Sequence, residues 1–151
     1  MTASEPATIL HATTIACRYG GQWRGVMIMG PSGAGKSDLA LRAMAAGWRL
    51  VADDRTLVWR SGQSLFGRAP STLHGLVEAR GLGVLPVDVR QMAPIALLAA
   101  CATDAGAIER MPVEETVNVL GATLPCVRLF ALEASALAKL TLAFQGSLST
   151  L

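Results

Sequence analysis

Three short stretches of this chain carry side chains that can do chemistry together. The first is Gly30-Pro31-Ser32-Gly33-Ala34-Gly35-Lys36-Ser37, which fits G-x-x-x-x-G-K-[ST] at every fixed position. Its glycines let the chain curl until successive backbone N–H groups point at phosphate oxygens. Lys36 then reaches the β- and γ-phosphates as a point charge, and the Ser37 hydroxyl is placed to ligate Mg²⁺. The second stretch is Asp53-Asp54, beginning 17 residues after Lys36. One carboxylate can accept a proton from an attacking hydroxyl, and the other can help hold Mg²⁺ directly or through water. The third is Glu78-Ala79-Arg80 within VEARGLGVLPV. If this segment is extended, Glu78 and Arg80 share a face, because strand side chains alternate. An acid beside an arginine suits metal ligation and charge neutralisation of a transferring phosphoryl group.

These residues meet only if the surrounding elements bring them to one edge of a sheet. Arg24 to Gly30 is a short apolar run that reads as a buried strand entering the loop. Gly35 to Ala46 reads as a helix, with Asp38 near the positive end of its dipole and Gly47 at C′. Its apolar residues cover most of the cylinder, so it should be covered on several sides. Trp48 to Asp54 reads as a strand parallel to the first. It would return the chain to the edge where the loop sits, which is where open α/β sheets bind ligands. The strand Ala7–Tyr19 and the turn Gly20–Trp23 suggest a hairpin leading into the loop. Thr56 to Arg68 suggests another hairpin, turning at Ser61-Gly62. Leu76 to Val89 is partly extended, and Ala93 to Ala102 is either a central strand or a short buried helix. Thr103 to Val117 reads mostly as loop, Leu124 to Leu132 as a strand, and Glu133 to Gly146 as a terminal helix with Gly146 beyond its end. The expected fold class is α/β, a mixed β-sheet core containing the phosphate loop and flanked by helices.

The chain has 151 residues, 52% hydrophobic and 16% charged, which argues for a single folded domain over residues 1–151 and against disorder. Its net charge is +2 and its arginines are scattered, so no nucleic-acid partner is expected. The longest uncharged stretch, Gln91 to Thr103, is too short for a membrane span, and the N-terminus lacks a secretory pattern. Cys17, Cys101 and Cys126 form no CxxC, which suits free thiols in a reducing, cytoplasmic setting. N-K-x-D and L-S-G-G-Q do not occur, which argues against a GTPase and a transporter ATPase.

GPSGAGKSDLAL, GWRLVADD, LFGRAP and LVEARGLGVLPV, in that order, resemble the catalytic domain of HPr kinase/phosphorylase. The resemblance covers about Ile9 to Val89 well and Pro94 to Leu132 loosely. It implies transfer of phosphate from ATP, or pyrophosphate in some members, to a serine of an HPr-like phosphocarrier of a phosphotransferase system. It also implies removal of that phosphate by phosphorolysis with inorganic phosphate. Carried over to this chain, Gly30 to Ser37 bind the nucleotide phosphates, Lys36 contacts the transferring phosphoryl, and Ser37 with Glu78 ligates Mg²⁺. Asp53 is the first choice for proton acceptor, with Asp54 the alternative. His11 resembles the active-site histidine, and Arg80 with Gly81 to Gly83 resembles the signature linked to the reverse reaction. A homo-oligomer, a hexamer in the family, is implied as well.

The chain departs from the family pattern in three ways. It resembles the short α-proteobacterial form, with no N-terminal regulatory domain expected. The stretch corresponding to the family's P-G-R-N-type segment reads FALEASALAK, without arginine. The family's C-terminal helices are expected to be shortened. Two other functions remain open on sequence: a small-metabolite kinase, and a non-catalytic ATP- or phosphate-sensing module. His74 is given no role.

Overall fold

β3 (Gln22–Met29) is the strand that leads into the glycine-rich loop 30–37, and its Gly25, Val26, Met27 and Ile28 are buried. It forms a hairpin with β2 (Ala12–Tyr19), in register from Ala12 opposite Met29 to Tyr19 opposite Gln22. The structure, a computed structural model, describes residues 6–70 and 75–149. His74 lies outside the described residues. Upstream of the hairpin, the run expected to be one strand breaks at His11 into β1 (Thr8–Leu10) and β2.

The loop opens directly into α1 (Lys36–Ala45), and β4 (Arg49–Ala52) follows. β4 runs in the same sense as β3, as expected, but the two do not touch along their edges. β2 lies between them, antiparallel to both. On the other side β3 pairs in parallel with β9 (Met92–Cys101). The segment for which periodicity left strand and helix open is therefore a central strand. β9 branches the sheet: its first residues pair antiparallel with β6 (Ser64–Arg68), and Leu98 to Cys101 pair in parallel with β11 (Ala122–Leu129). β5 (Thr56–Ser61) and β1 extend the sheet beyond β6. β7 (Leu76–Ala79) and β8 (Gly83–Pro86) form a separate two-stranded hairpin.

Four expectations shift. The β5–β6 turn lies at Gly62-Gln63, one residue later than expected, because Ser61 pairs with Ser64. The stretch Thr103 to Val117, expected to be mostly loop, ends inside β10 (Glu115–Val119), which pairs with β11 across a two-residue turn at Leu120-Gly121. Both turn residues have positive φ, 52° and 89°, the conformation that suits tight hairpins. The terminal helix α2 spans Ala136–Ser149, starting later than expected. Gly146 lies inside it and is absent from the positive-φ glycines, so it does not provide the left-handed exit that ends a helix.

α1 buries Leu39, Ala40 and Ala43 and, as its apolar girth implied, is covered by the sheet, by β7 and by α2. α2 buries Ala136, Leu140 and Phe144, spaced one turn apart on one face. The Phe144 ring meets Trp48 at 5.0 Å and the edge of Tyr19 at 6.3 Å, joining α2 to the outer part of the sheet. No helix among the described residues is long and apolar enough to cross a membrane.

Candidate active site

The carboxyl end of β3 must turn sharply into α1, and two glycines allow it. Gly30, at φ 155°, lies so close to the end of β9 that a Cβ there would come within 2.7 Å of the Cys101 carbonyl oxygen. Gly35, at φ 92°, precedes α1, and no side chain caps the helix. The N–H groups of its first turn are therefore left for an anion. The Lys36 ammonium folds back over the loop and donates to the carbonyls of Gly30 at 2.7 Å and Pro31 at 3.0 Å.

β4 ends at Ala52 and brings the acidic pair to the same edge. The Ser37 hydroxyl donates to Asp53 Oδ1 at 2.7 Å, which joins the glycine-rich loop to the carboxylates. Thr13, at the start of β2 and fully buried, also donates to Asp53 Oδ1, at 3.2 Å. The same hydroxyl accepts the backbone N–H of Asp54 at 3.1 Å. Sequence reasoning missed Thr13, because only the insertion of β2 between β3 and β4 brings it to the acidic pair. Its one visible signal was a pair of threonines, Thr13 and Thr14, set among the apolar residues that open the strand.

The two aspartates have different surroundings. Asp53 is half-buried and its Oδ1 accepts two hydroxyls. Asp54 is exposed, with its backbone at φ 64°, and the Arg55 N–H closes a three-residue turn onto the Asp53 carbonyl at 2.7 Å. Positive φ at a residue other than glycine is uncommon and collects at functional sites. His11 Nδ1 stands 4.0 Å from Asp54 Oδ1, and both side chains are largely exposed.

The third stretch is carried by the β7–β8 hairpin, which packs against α1. Val77 and Ala79 face the core, so Glu78 is on the outer face of β7, and Arg80 begins the turn beyond the strand. Among the described residues no group of three or more His, Cys, Asp or Glu side chains is assembled to hold a metal. On the opposite flank, Arg42 of α1 donates to the carbonyls of Ala131 and, at 3.3 Å, of Glu133, and also to Asp38. Lys139 donates to Glu133 Oε1 at 2.5 Å. Cys101 is buried beside the loop. Burial pushes its thiol pKa up, and the nearby Lys36 charge partly offsets this.

Residues 7–140 match the family model described as the HPr Serine kinase C-terminal domain, and the chain belongs to that family. It is 37% identical over 115 residues to the HPr kinase/phosphorylase of Ralstonia pickettii, covering 70% of this chain and 36% of that one. It is 50% identical over 64 residues to the HPr kinase/phosphorylase of Levilactobacillus brevis, covering 42% of this chain and 21% of that one. The chain thus spans between about a fifth and just over a third of these curated relatives. A solved structure of the HPr(Ser) kinase/phosphatase from Coxiella burnetii superposes with a TM-score of 0.80 at 23% identity, covering 95% of this chain and 98% of that one. That likeness establishes the mixed α/β fold.

Proposed function

We propose that the chain is an ATP-dependent protein-serine kinase acting on an HPr-like phosphocarrier of a phosphotransferase system, and that it also runs the reverse phosphorolysis. The observation that carries this reading, in a chain of this family, is the 2.7 Å hydrogen bond from Ser37 to Asp53. It brings a phosphate loop and an acid pair to one point.

In the forward direction the carrier's serine oxygen attacks the γ-phosphorus of ATP. A new P–O bond forms, the bond to the β–γ bridging oxygen breaks, and ADP leaves. The serine proton passes to a carboxylate. The surroundings favour Asp54 for this role over Asp53, the first choice on sequence. Asp54 is exposed to an incoming hydroxyl, whereas Asp53 already accepts from Ser37 and Thr13. Ser37 and Asp53 together offer the hard oxygen donors that Mg²⁺ takes. When bound, Mg²⁺ neutralises charge on the β- and γ-phosphates. Lys36 exchanges its loop carbonyls for phosphate oxygens, and His11 orients Asp54. A role for Glu78 at the metal and for Arg80 in the reverse reaction rests on family membership alone. In reverse, an oxygen of inorganic phosphate attacks the phosphoserine phosphorus, the seryl P–O bond breaks, and pyrophosphate forms. Asp54 returns a proton to the serine oxygen. Pyrophosphate is, by the same logic, a possible donor in place of ATP. The protein is proposed to act in the cytoplasm as a homo-oligomer.

The test incubates the protein with labelled ATP, Mg²⁺ and purified HPr-like carriers, then adds inorganic phosphate to the phosphorylated product. Seryl-phosphate on a carrier, lost again as pyrophosphate appears, is the expected result. ATP turnover driven by a small metabolite, with no carrier labelled, would replace this reading with a metabolite kinase.

A further inference from the structure

At the carboxyl edge of the sheet the strands follow the order β4, β2, β3, β9, β11. The acidic pair ends β4, two strands to one side of the phosphate loop. Leu132, just past the end of β11, lies two strands to the other. It is 55% exposed, while its neighbour Ala131 is fully buried. Its side chain nevertheless crosses the end of β9 to the loop: a Cβ built on Gly35 would lie 2.6 Å from Leu132 Cδ2. The backbone on either side of it is held by the Arg42 guanidinium, through the carbonyls of Ala131 and Glu133. A large apolar side chain is thus fixed in solvent beside the last glycine of the loop, and the hydrophobic effect disfavours leaving it so.

We infer that Leu132 is the floor on which the nucleoside part of a nucleoside triphosphate rests, an inference that depends on the loop 30–37 holding that ligand's phosphates. A triphosphate is a chain with two ends. With its γ-phosphate turned toward Asp53 and Asp54, its nucleoside leaves in the opposite sense, over β9 and β11. A leucine has no hydrogen-bonding group, so it receives the flat face of a base or the carbon face of a ribose by dispersion and desolvation. It therefore separates ligands with a nucleoside from ligands without one and does not read the base. Arg42 is a positioning residue in this arrangement, acting through the backbone that carries Leu132.

The test is equilibrium binding of ATP, GTP and inorganic tripolyphosphate, each with Mg²⁺, to the full chain as wild type, Leu132→Ala and Leu132→Met. Leu132→Ala is expected to weaken ATP and GTP about five- to tenfold, the scale of uncovering roughly 50 Å² of apolar contact. Tripolyphosphate affinity should stay unchanged, which also reports an intact loop and fold, and Leu132→Met should recover nucleotide affinity. Equal weakening of all three ligands would give Leu132 a role in loop shape instead, and unchanged ATP affinity would put the nucleoside elsewhere. Either result overturns the inference and leaves the loop reading standing. A wild-type protein that binds none of the three removes the loop reading and the inference together.

Discussion

Asp53 and Asp54 are adjacent in the chain and unlike in their surroundings, and that difference can be tested one residue at a time. Asparagine tolerates left-handed backbone better than other side chains with a Cβ. Asp54→Asn should therefore keep the φ 64° turn while removing the proposed proton acceptor. It is expected to lower phosphoryl transfer about 10²- to 10⁴-fold with ATP affinity and melting temperature near wild type, measured by transfer kinetics alongside binding and thermal unfolding. Asp53→Asn should instead weaken the Mg²⁺ dependence of ATP binding, since its carboxylate sits with Ser37. Lys36→Ala should abolish ATP binding, read by the same titration. Much at this scale was legible in the sequence. The loop, Ser37 and the acid pair are local patterns, and the pairing of helix and strand between them follows from their lengths. Thr13, Arg42 and Leu132 were not legible, because each acts on a residue about 40 to 97 positions away. Only the tertiary path of the chain decides such meetings.

Among the elements, α2 packs through Ala136, Leu140 and Phe144, and Phe144 is the largest of the three. Phe144 is fully buried between Trp48 and Tyr19, and its replacement by alanine leaves a cavity that helix and strand cannot both close. Phe144→Ala should cost about 3–5 kcal/mol, read as a lower urea midpoint. β10 is held to β11 in part by the paired hydrogen bonds of Arg128 to Glu115, at 2.8 and 3.0 Å. The guanidinium keeps the Glu115 carboxyl below the usual carboxylate range. A depressed carboxylate stabilises above its unfolded pKa and loses that contribution as pH falls through its folded value. Glu115→Gln should accordingly flatten the acid-side fall of stability, followed by thermal melts across an acid pH series. Both charges are exposed, so the change should be small. β10 was hard to read in advance because its apolar alternation is only two residues long, Val117 and Val119, with polar residues exposed between and before them. β9 is the reverse case. It is apolar on both faces, which hides the distinction between strand and helix until its parallel partners are known.

Over the whole molecule, exposed apolar side chains occur at several separate places. Leu82 and Val84 project from the β7–β8 hairpin, Met111 and Val113 from the segment before β10, and Leu142 from the outer face of α2. Together they favour assembly with further copies. Light scattering over a range of concentrations should give a mass that is a multiple of 15.7 kDa. A monomer at every concentration would remove the oligomer from the proposal. The branching of β9 has a mechanical consequence. That strand pairs with β3, β6 and β11, so the two branches of the sheet that meet on it cannot part from each other without breaking its pairing. Adjustment to an incoming ligand is therefore expected first at the rim, in the short connections after β3, β4 and β11, where no shared strand ties the branches together.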